Sequence, residues 1–266
     1  MYKLFVIAFF FITAGVVAQN KINQTDTQGR KQGVWIKKDV EGKLVYQATF
    51  KDDKPVGEMK RFHSNGQLKA ILNFKEGSNE SEAHLFDEKG KLIAQGMYDG
   101  QKKTGEWKYM IDGKIISTEI YLNGQKQGIA KRYYKTGEIL EESNWENNLM
   151  NGLYKSYFQD GKIFLECYYT EGKRNGVFRT WFSGGSIELE ANYTNDVKDK
   201  DWRYFDKNGK HLFTLTYNLG NLLNTEVQDS IDKAQSVFYN PHNIPDPEKF
   251  MQNPEEYMIL MQNRGQ

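Results

Sequence analysis

The chain has few of the residues that form covalent cross-links, and it has no excess of one charge. It has one cysteine, Cys167, which excludes an intramolecular disulfide framework. It also lacks an excess of either charge, since 36 Lys and Arg stand against 35 Asp and Glu. This balance gives no reason to expect nucleic acid or an anionic membrane as the partner. Cys167 lies inside a predicted β-strand, where we expect a small inert core residue rather than a reactive thiol.

Patterns that carry catalysis or metal binding are also missing. The four histidines have no metal-ligand spacing: His63, His84, His211 and His242. No phosphate-binding loop, dinucleotide fingerprint or G-x-S-x-G motif occurs. Four glutamates resemble a glycosidase carboxylate pair: Glu141, Glu142, Glu166 and Glu190. The last three have predicted basic partners, and none belongs to a distinct, unrepeated constellation. We therefore predict that the protein is not an enzyme and holds no metal or cofactor.

Only the N-terminus is strongly apolar. Lys3 precedes an apolar run over 4–14, and Val16 and Ala18 stand at the −3 and −1 positions of a cleavage site. This layout is typical of a secretory signal peptide over 1–18, and the run is shorter than the about 20 residues that cross a bilayer. The alternative is an uncleaved anchor. We predict an exported protein, periplasmic, extracellular or associated with the cell envelope, without a transmembrane segment after signal removal.

Glycine, in contrast, is abundant and periodic. Units with a spacing of 24 residues, and one of 23, begin at Gly33, Gly57, Ser81, Gly105, Gly128, Gly152, Gly176 and Lys200. Each contains a turn glycine: Gly42, Gly66, Gly90, Gly113, Gly137, Gly161, Gly185 and Gly209. Each closes on an aromatic residue: Phe50, Phe74, Tyr98, Tyr121, Trp145, Tyr169, Tyr193 and Tyr217. Seven have Leu or Ile two residues after the turn glycine: Leu44, Leu68, Leu92, Ile115, Ile139, Ile163 and Ile187. A fixed period of this size indicates an array of one supersecondary unit.

The unit over 152–175 shows what that supersecondary unit is. Two alternating runs flank Asp160-Gly161, a dipeptide that favours a two-residue type I′ turn between antiparallel strands. Counting the opening residue as zero, positions 3 and 14, 5 and 12, and 2 and 15 should pair across the hairpin. The unit of 23 is one residue short before its turn, so we expect a bulge or register adjustment there. The prediction is an all-β repeat: an elongated single antiparallel sheet of eight stacked hairpins.

These columns resemble the MORN repeat family, most closely its bacterial variant. The family's rhythm of glycine, aromatic and aliphatic positions is found at Gly105-Glu106-Trp107, Gly113, Ile115, Tyr121, Gly124 and Gly128. It recurs at Gly176-Val177-Phe178, Trp181, Gly185, Ile187, Glu190 and Tyr193. The resemblance covers about 33–220. It implies a sheet of stacked hairpins used for protein or lipid contact rather than chemistry, and some bacterial members are described as antitoxin-like.

Strand alternation divides the predicted sheet into two faces. The apolar face should collect the opening glycines, the closing aromatics, the Leu/Ile column and Trp35, Trp107, Tyr154, Phe178 and Trp202. A glycine opposite an aromatic residue should let the ring lie over bare backbone. The other face, here called the basic-aromatic face, has a position-3 column of Ile36, Lys60, His84, Lys108, Lys131, Lys155, Arg179 and Arg203. Glu142, Glu166 and Glu190 should pair with Lys131, Lys155 and Arg179. Beside them lie Phe62, Phe86, Tyr133, Tyr157, Trp181 and Phe205.

An aromatic stripe flanked by basic residues has the composition of an interaction surface. The candidate partner-binding residues are Lys131, Tyr133, Lys155, Tyr157, Arg179, Trp181, Arg203 and Phe205. We predict a non-catalytic exported scaffold that binds another protein through this face. The alternatives are envelope polysaccharide or anionic lipid on the same face, antitoxin-like neutralisation of a partner protein, or aromatics that merely pack against neighbouring hairpins.

The ends of the array depart from the pattern, as expected where sheet edges need protection. Lys37 and Lys38 replace apolar residues in the first unit, Lys200 opens the last, and Ser81 suggests a local kink in the third. A polar, flexible leader is predicted over 19–32 and a helical or irregular tail over 221–266. The tail contains an amphipathic helix over 225–239, with Val227, Ile231, Ala234 and Phe238 on one side, and a second helix over 255–262. These helices either cover the sheet or bind a partner.

Overall fold

The computed structural model describes residues 21–238, and the chain in this range forms one antiparallel sheet followed by one helix. The strands are β1 (Gln24–Thr25), β2 (Lys31–Lys38), β3 (Leu44–Lys51), β4 (Lys54–Phe62), β5 (Leu68–Phe74), β6 (Glu80–Phe86), β7 (Leu92–Asp99), β8 (Lys102–Ile111), β9 (Lys114–Leu122), β10 (Gln125–Lys126), β11 (Gly128–Tyr133), β12 (Ile139–Glu146), β13 (Leu149–Tyr157), β14 (Ile163–Thr170), β15 (Lys173–Trp181), β16 (Ile187–Thr194), β17 (Val197–Phe205), β18 (His211–Asn218) and β19 (Asn221–Leu222). The helix is α1 (Thr225–Phe238). The predicted all-β sheet of stacked hairpins is confirmed.

The predicted signal peptide and the second tail helix lie outside the described residues, as does His242. From β1 to β10 and from β11 to β19, each strand pairs with the next one along the chain. The two-residue β10 does not pair with β11, and both β10 and β11 pair with β9. Among residues 21–238, no helix has the length and apolarity needed to cross a bilayer.

Part of the segment predicted to be a flexible leader is held on the sheet. β1 pairs with β2, and the Trp35 indole N–H donates to the Gln24 carbonyl at 3.1 Å. The Asn23 side chain accepts from the Ile36 amide at 2.7 Å and donates to the Ile36 carbonyl at 3.0 Å. This short strand covers much of an edge that would otherwise offer unpaired backbone groups to another chain.

The hairpin tips differ from the predicted type I′ turns. The Gly161 amide donates to the Phe158 carbonyl at 2.9 Å, and the Phe158 amide donates to the Lys162 carbonyl at 2.8 Å. Gly161 has φ 83°, but Asp160 is not left-handed. The tip is therefore a three-residue loop, a type I turn followed by a bulge at the left-handed glycine. The type I′ prediction is wrong at this position.

Two-residue type I′ turns do occur, but mostly between the predicted units. The pairs Asn147-Asn148 and Asn195-Asp196 both have φ values of 50° and 68°, a conformation that Asn and Asp tolerate better than most residues. The 23-residue unit carries such a turn at its tip, where Asp112 has φ 50° and Gly113 has φ 77°. The expected bulge or register adjustment is therefore not specific to this unit. The missing residue is removed from the loop, and the register shift between Tyr109 and Met110 matches the one in the other hairpins.

The opening glycines are required by a second bulge, at the joint between units. Around Gly176 the pairing steps from Cys167–Phe178 to Tyr169–Arg174, and Gly176 itself has φ 105°. Lys200, which replaces glycine in the last unit, keeps a left-handed φ of 61°. Ser81 does not, and β5 and β6 pair without the bulge, so the third unit differs by regular pairing rather than by a kink.

The predicted packing of aromatic rings over the opening glycines is wrong. A Cβ added at Gly33, Gly57 or Gly105 would meet no atom within 4 Å. The glycine that does lie beneath a ring is Gly96, where an added Cβ would stand 2.4 Å from the Trp107 ring. Conformation, not space for a ring, therefore explains glycine at the start of the units.

The apolar face contains two clusters of buried side chains. The larger one consists of Tyr134, Leu140, Tyr154, Phe158, Phe164, Leu165, Cys167, Tyr169, Phe178, Leu189, Ala191, Tyr193, Trp202 and Leu215. The smaller one consists of Ala83, Ala94 and Trp107. Burial raises the pKa of the Cys167 thiol to about 12, which confirms this cysteine as a core residue.

Helix α1 folds back onto the larger cluster. Val227 and Ile231 pack against it, and Asn224 fixes the entry to the helix by accepting from the Thr216 amide at 2.8 Å and donating to the Thr214 carbonyl at 2.8 Å. For this part of the tail, the alternative of covering the sheet is confirmed. The extra apolar layer lies at the last long strand, where the repeat ends.

Candidate interaction face

The basic-aromatic face keeps the register predicted for its charged column. Within hairpins, Lys131 pairs with Glu142, Lys155 with Glu166, and Arg179 with Glu190. Across the joints, each of these glutamates also pairs with the cation of the next unit. Seven charges alternate in sign over consecutive strands, and we call them the charge ladder: Lys131, Glu142, Lys155, Glu166, Arg179, Glu190 and Arg203.

The ladder is held by ion pairs that are partly shielded from water. The nitrogen–oxygen distances are 2.9 Å for Lys131–Glu142, 3.4 Å for Lys155–Glu166 and 3.0 Å for Arg179–Glu190. The hydrogen bond from Lys131 lowers the pKa of Glu142, and the same bond raises the pKa of Lys131. Because each glutamate stands between two cations, this surface is a pattern of alternating charge rather than a basic patch.

The aromatic column beside the ladder pairs with the Leu/Ile column, which was predicted to lie on the apolar face. Tyr133 pairs with Ile139, Tyr157 with Ile163, and Trp181 with Ile187. The Leu/Ile column thus lies on the basic-aromatic face, and its assignment to the apolar face is wrong. The cause is a further bulge inside the hairpin, at Phe164 in the sixth unit. There the pairing steps from Ser156–Leu165 to Tyr157–Ile163, so position 5 pairs with position 11 instead of 12. In the sixth unit Phe164 and Leu165 are buried in place of Ile163.

The column is also tied to the ladder by a hydrogen bond. The Tyr157 hydroxyl donates to Glu142 at 2.8 Å. The pKa of Tyr157 is raised, mainly because the hydroxyl is partly buried and also because it binds this carboxylate. All eight candidate residues of the sequence prediction lie on this one face and are at least partly exposed. The arrangement combines rings held in place with charged groups that keep contact with solvent.

A second apolar strip flanks the ladder on its other side, and the sequence analysis missed it. Ile129 and Tyr168 expose 47% and 43% of their surface, and Leu153 and Val177 lie in the same rows. Ile129, Leu153 and Val177 each stand two residues before a ladder cation, so alternation along the strand places them on the ladder's face. This spacing of two residues is visible in the sequence and could have predicted the second apolar strip.

The first half of the sheet has no equivalent ladder. Here Lys60 pairs with Ile71, His84 with Gln95, and Lys108 with Thr118. The two lysines instead contact acids on their own strands, at 2.9 Å for Lys60–Glu58 and 3.4 Å for Lys108–Glu106. The cations at position 3 therefore form ion pairs across the strands only from β11 onwards.

The C-terminal end of the ladder borders a shallow depression of about 380 Å³. Arg179, Arg203 and Lys200 line it together with Glu190 and Asp201. Such a lining offers several hydrogen-bond donors and acceptors to a protein surface. Within residues 21–238, no group of three or more His, Cys, Asp or Glu side chains is arranged to hold a metal ion.

Comparison with known proteins finds a family match in three parts of the array. Three segments, 55–76, 126–147 and 150–171, match the family described as MORN repeat variant. Repeats of this type are generally modules that bind proteins or membranes. No curated protein matches the chain.

Two solved structures have a weak likeness to part of the chain. One is a mutant of S. aureus TarM in complex with fondaparinux, alpha-GlcNAc-glycerol and UDP, at 16% identity and a TM-score of 0.21, covering 41% of this chain and 19% of that one. A second TarM structure has 17% identity and a TM-score of 0.23, covering 43% and 20%. The chain thus spans about a fifth of those proteins, and a likeness of this size carries no argument about fold or activity.

Proposed function

We propose that the protein is a non-catalytic, exported scaffold that binds another protein through the basic-aromatic face of its last four units. The observation that carries this proposal is the charge ladder with an apolar strip on each side. Rings and aliphatic side chains supply the area that a protein interface buries, and alternating charges select a partner of matching pattern. Three segments that match a family of binding repeats support the same class of function.

The charge pattern favours a protein over an anionic membrane. A surface that recruits acidic lipid needs an uncompensated cluster of Lys and Arg. In the ladder, Glu142, Glu166 and Glu190 each separate two cations, so the positive potential is largely cancelled. Complementary alternating charge fixes register between two proteins and suppresses wrong partners.

The experiment compares two double variants of the same column. Tyr157→Ala with Trp181→Ala removes rings beside the ladder, whereas Phe62→Ala with Phe86→Ala removes the equivalent rings where no ladder exists. Tagged mature protein is captured from cross-linked native cell envelope. We expect one dominant co-purifying protein, which is lost with the first variant and retained with the second, while both keep the β-sheet circular dichroism spectrum.

Other results would redirect or reject the proposal. Equal loss with both double variants would mean that the interface is not confined to the ladder. Retention of lipid or glycan without a stoichiometric protein, especially if it disappears at high salt, would favour the membrane or polysaccharide alternative. Export is tested separately, by fractionation of the native cells.

A further inference from the structure

A polar cavity opens on the other side of the sheet, within the apolar face. It has a volume of about 320 Å³, spans β9 to β13 and is bordered by Tyr154 of the larger buried cluster. Its polar lining includes Ser117, Glu119, Lys126, Glu141, Ser143 and Trp145. The lining also includes Arg132 and one member of the charge ladder, Lys131, whose ammonium pairs with Glu142 at 2.9 Å. The volume lies at the lower end of the range of about 300–1,000 Å³ that small-molecule sites occupy.

The cavity exists because several columns of the repeat are broken at the same place. Where the sixth, seventh and eighth units bury Tyr154, Phe178 and Trp202, the fifth has Ala130, and the missing ring leaves space. Glu119 stands in a column otherwise composed of Ala48, Leu72, Gly96, Ser143, Cys167, Ala191 and Leu215. Glu141 stands in a column otherwise composed of Tyr46, Ala70, Ala94, Ser117, Leu165, Leu189 and Phe213.

Two carboxylates stand in columns that are otherwise uncharged, so the repeat itself does not require them. Withdrawing an ion pair from water costs free energy, and apolar residues of similar volume often serve a core equally well. Units six to eight show that apolar residues fit these columns. The substitutions in the fourth and fifth units therefore point to a ligand.

The polar groups of the cavity are held in fixed positions by the protein. Lys126 donates to Glu119 at 2.8 Å, and the Tyr121 hydroxyl donates to its other oxygen. Burial alone would raise the pKa of Glu119, but these hydrogen bonds outweigh it and the pKa is lowered. Glu141 accepts from the Tyr154 hydroxyl at 2.9 Å and from Arg132 at 3.3 Å.

These contacts determine which ligand chemistry fits. Lys126 pairs with Glu119, Arg132 with Glu141, and Lys131 with Glu142 of the ladder. The lining therefore leaves no uncompensated charge for an ionic ligand. A carboxylate oxygen that accepts one hydrogen bond from the protein retains another lone pair for a ligand hydroxyl. The Trp145 indole N–H donates to the Ser143 hydroxyl at 2.8 Å, and Lys126 Nζ lies 3.8 Å from the centroid of the ring. The ring face away from Lys126 is the apolar surface that Trp145 can add to this polar lining.

We propose that this cavity binds a single neutral saccharide ring. Glu119, Glu141 and the two serines would engage ring hydroxyls, and the indole would pack against ring carbons. The site lies on the opposite face from the charge ladder and does not rest on the proposed protein partner. A scaffold with this site carries a glycan ligand independently of its protein-binding face.

The test titrates glucose, galactose, mannose and N-acetylglucosamine into the full chain at millimolar concentration, followed by saturation-transfer NMR. Ala130→Leu fills the cavity and Glu141→Gln removes one acceptor charge. Glu106→Gln makes the same charge change at an exposed residue of β8. We expect saturable binding of at least one sugar, weakened about tenfold or more by both cavity variants and unchanged by Glu106→Gln.

The proposal is overturned if none of the four sugars binds saturably, or if binding persists in both cavity variants. Circular dichroism verifies that each variant is folded, and Glu141→Gln decides the matter if the larger leucine disrupts the sheet. Capture of the protein partner is measured in the same variants. If a variant that no longer binds sugar still captures the protein partner, the two faces act separately.

Discussion

The two halves of the sheet follow one repeat pattern but build different interiors. In units one to four the buried apolar residues are mostly alanine: Ala48, Phe50, Ala70, Ala83, Ala94, Trp107 and Met110. In units five to eight the same columns more often carry Leu, Phe, Tyr or Trp, although Ala130 and Ala191 remain, and α1 adds further apolar contacts. The repeat determines which backbones pair, whereas side-chain size determines how much apolar area is buried, at about 25 cal/mol per Å².

The halves differ in the same sense on the opposite face. In the second half, the residues at positions 3 and 14 form a continuous ladder of ion pairs across the strands. In the first half, the lysines at position 3 instead contact acids on their own strands. Since repeat arrays are stabilised by each unit and its neighbours, the second half should open last. The following predictions test this difference, from the largest effect to the smallest.

The largest effect is expected from Phe178→Ala. Phe178 is buried between Trp202, with ring centroids 6.5 Å apart, and Tyr193, at 5.5 Å. Its truncation should cost about 3–5 kcal/mol. Trp35→Ala, at the equivalent but partly exposed position of the first unit, should cost clearly less. Urea denaturation gives both values, and alkylation of buried Cys167 reports opening of the second half. Equal losses would contradict the asymmetry.

A smaller loss, of about 1–3 kcal/mol, is expected when Gly96 becomes Ala. The new Cβ would lie within 2.4–2.6 Å of three Trp107 ring atoms, so the buried ring must move. Ala191 occupies the same column in the seventh unit without difficulty, which makes the effect specific to the first half. Thermal melting measures the loss, and an unchanged melting temperature would exclude the packing described for Trp107.

Adjacent glycines at one hairpin tip separate conformation from packing. Gly185 has φ +91° and Gly184 has no positive φ, and an added Cβ meets no atom within 4 Å at either residue. Gly185→Ala should therefore cost about 1–2 kcal/mol through left-handed strain. Gly184→Ala should be neutral or stabilising by up to about 1 kcal/mol. Similar melting temperatures for the two variants would rule out the loop geometry given for the tips.

The smallest effect concerns pH and the ladder. The pKa of Glu142 is lowered from its ordinary value of 4.5, so its ion pair stabilises the fold above that pH and the contribution is lost as the pH falls further. At neutral pH, Glu142→Gln should cost about 0.2–1 kcal/mol, and the difference from wild type should vanish towards pH 3. Chemical denaturation across this range measures it. A difference that grows in acid would have the wrong sign.

Period and alternation were sufficient to predict the strands, the pairing of positions 3 and 14, and hence the ladder. They could not distinguish the two turns that an Asp-Gly tip allows, because those turns differ by one loop residue. Nor did they reveal the bulge inside each hairpin, at Phe164 in the sixth unit, that places Ile163 and its equivalents on the other face. A better signal was present in the 23-residue unit, which alone has the two-residue loop at Asp112-Gly113.

The opening glycines and the cavity show two further limits of the sequence. A glycine can indicate either close packing or a left-handed backbone, and only the dihedral angle at Gly176 and Lys200 decided between them. Glu119 and Glu141 belong to different units, and their approach depends on pairing between β9, β11 and β12. A comparison column by column would have found two acids out of place, but not the cavity that they line.

Pairing of each strand with its chain neighbour has a mechanical consequence. If the two ends of the chain are pulled apart across the strands, tension reaches the hydrogen bonds one strand at a time and opens the array like a zip. We expect single-molecule stretching to show a series of small extensions beginning in units one to four. One abrupt rupture of the whole sheet would mean that the units are mechanically coupled despite their serial connection.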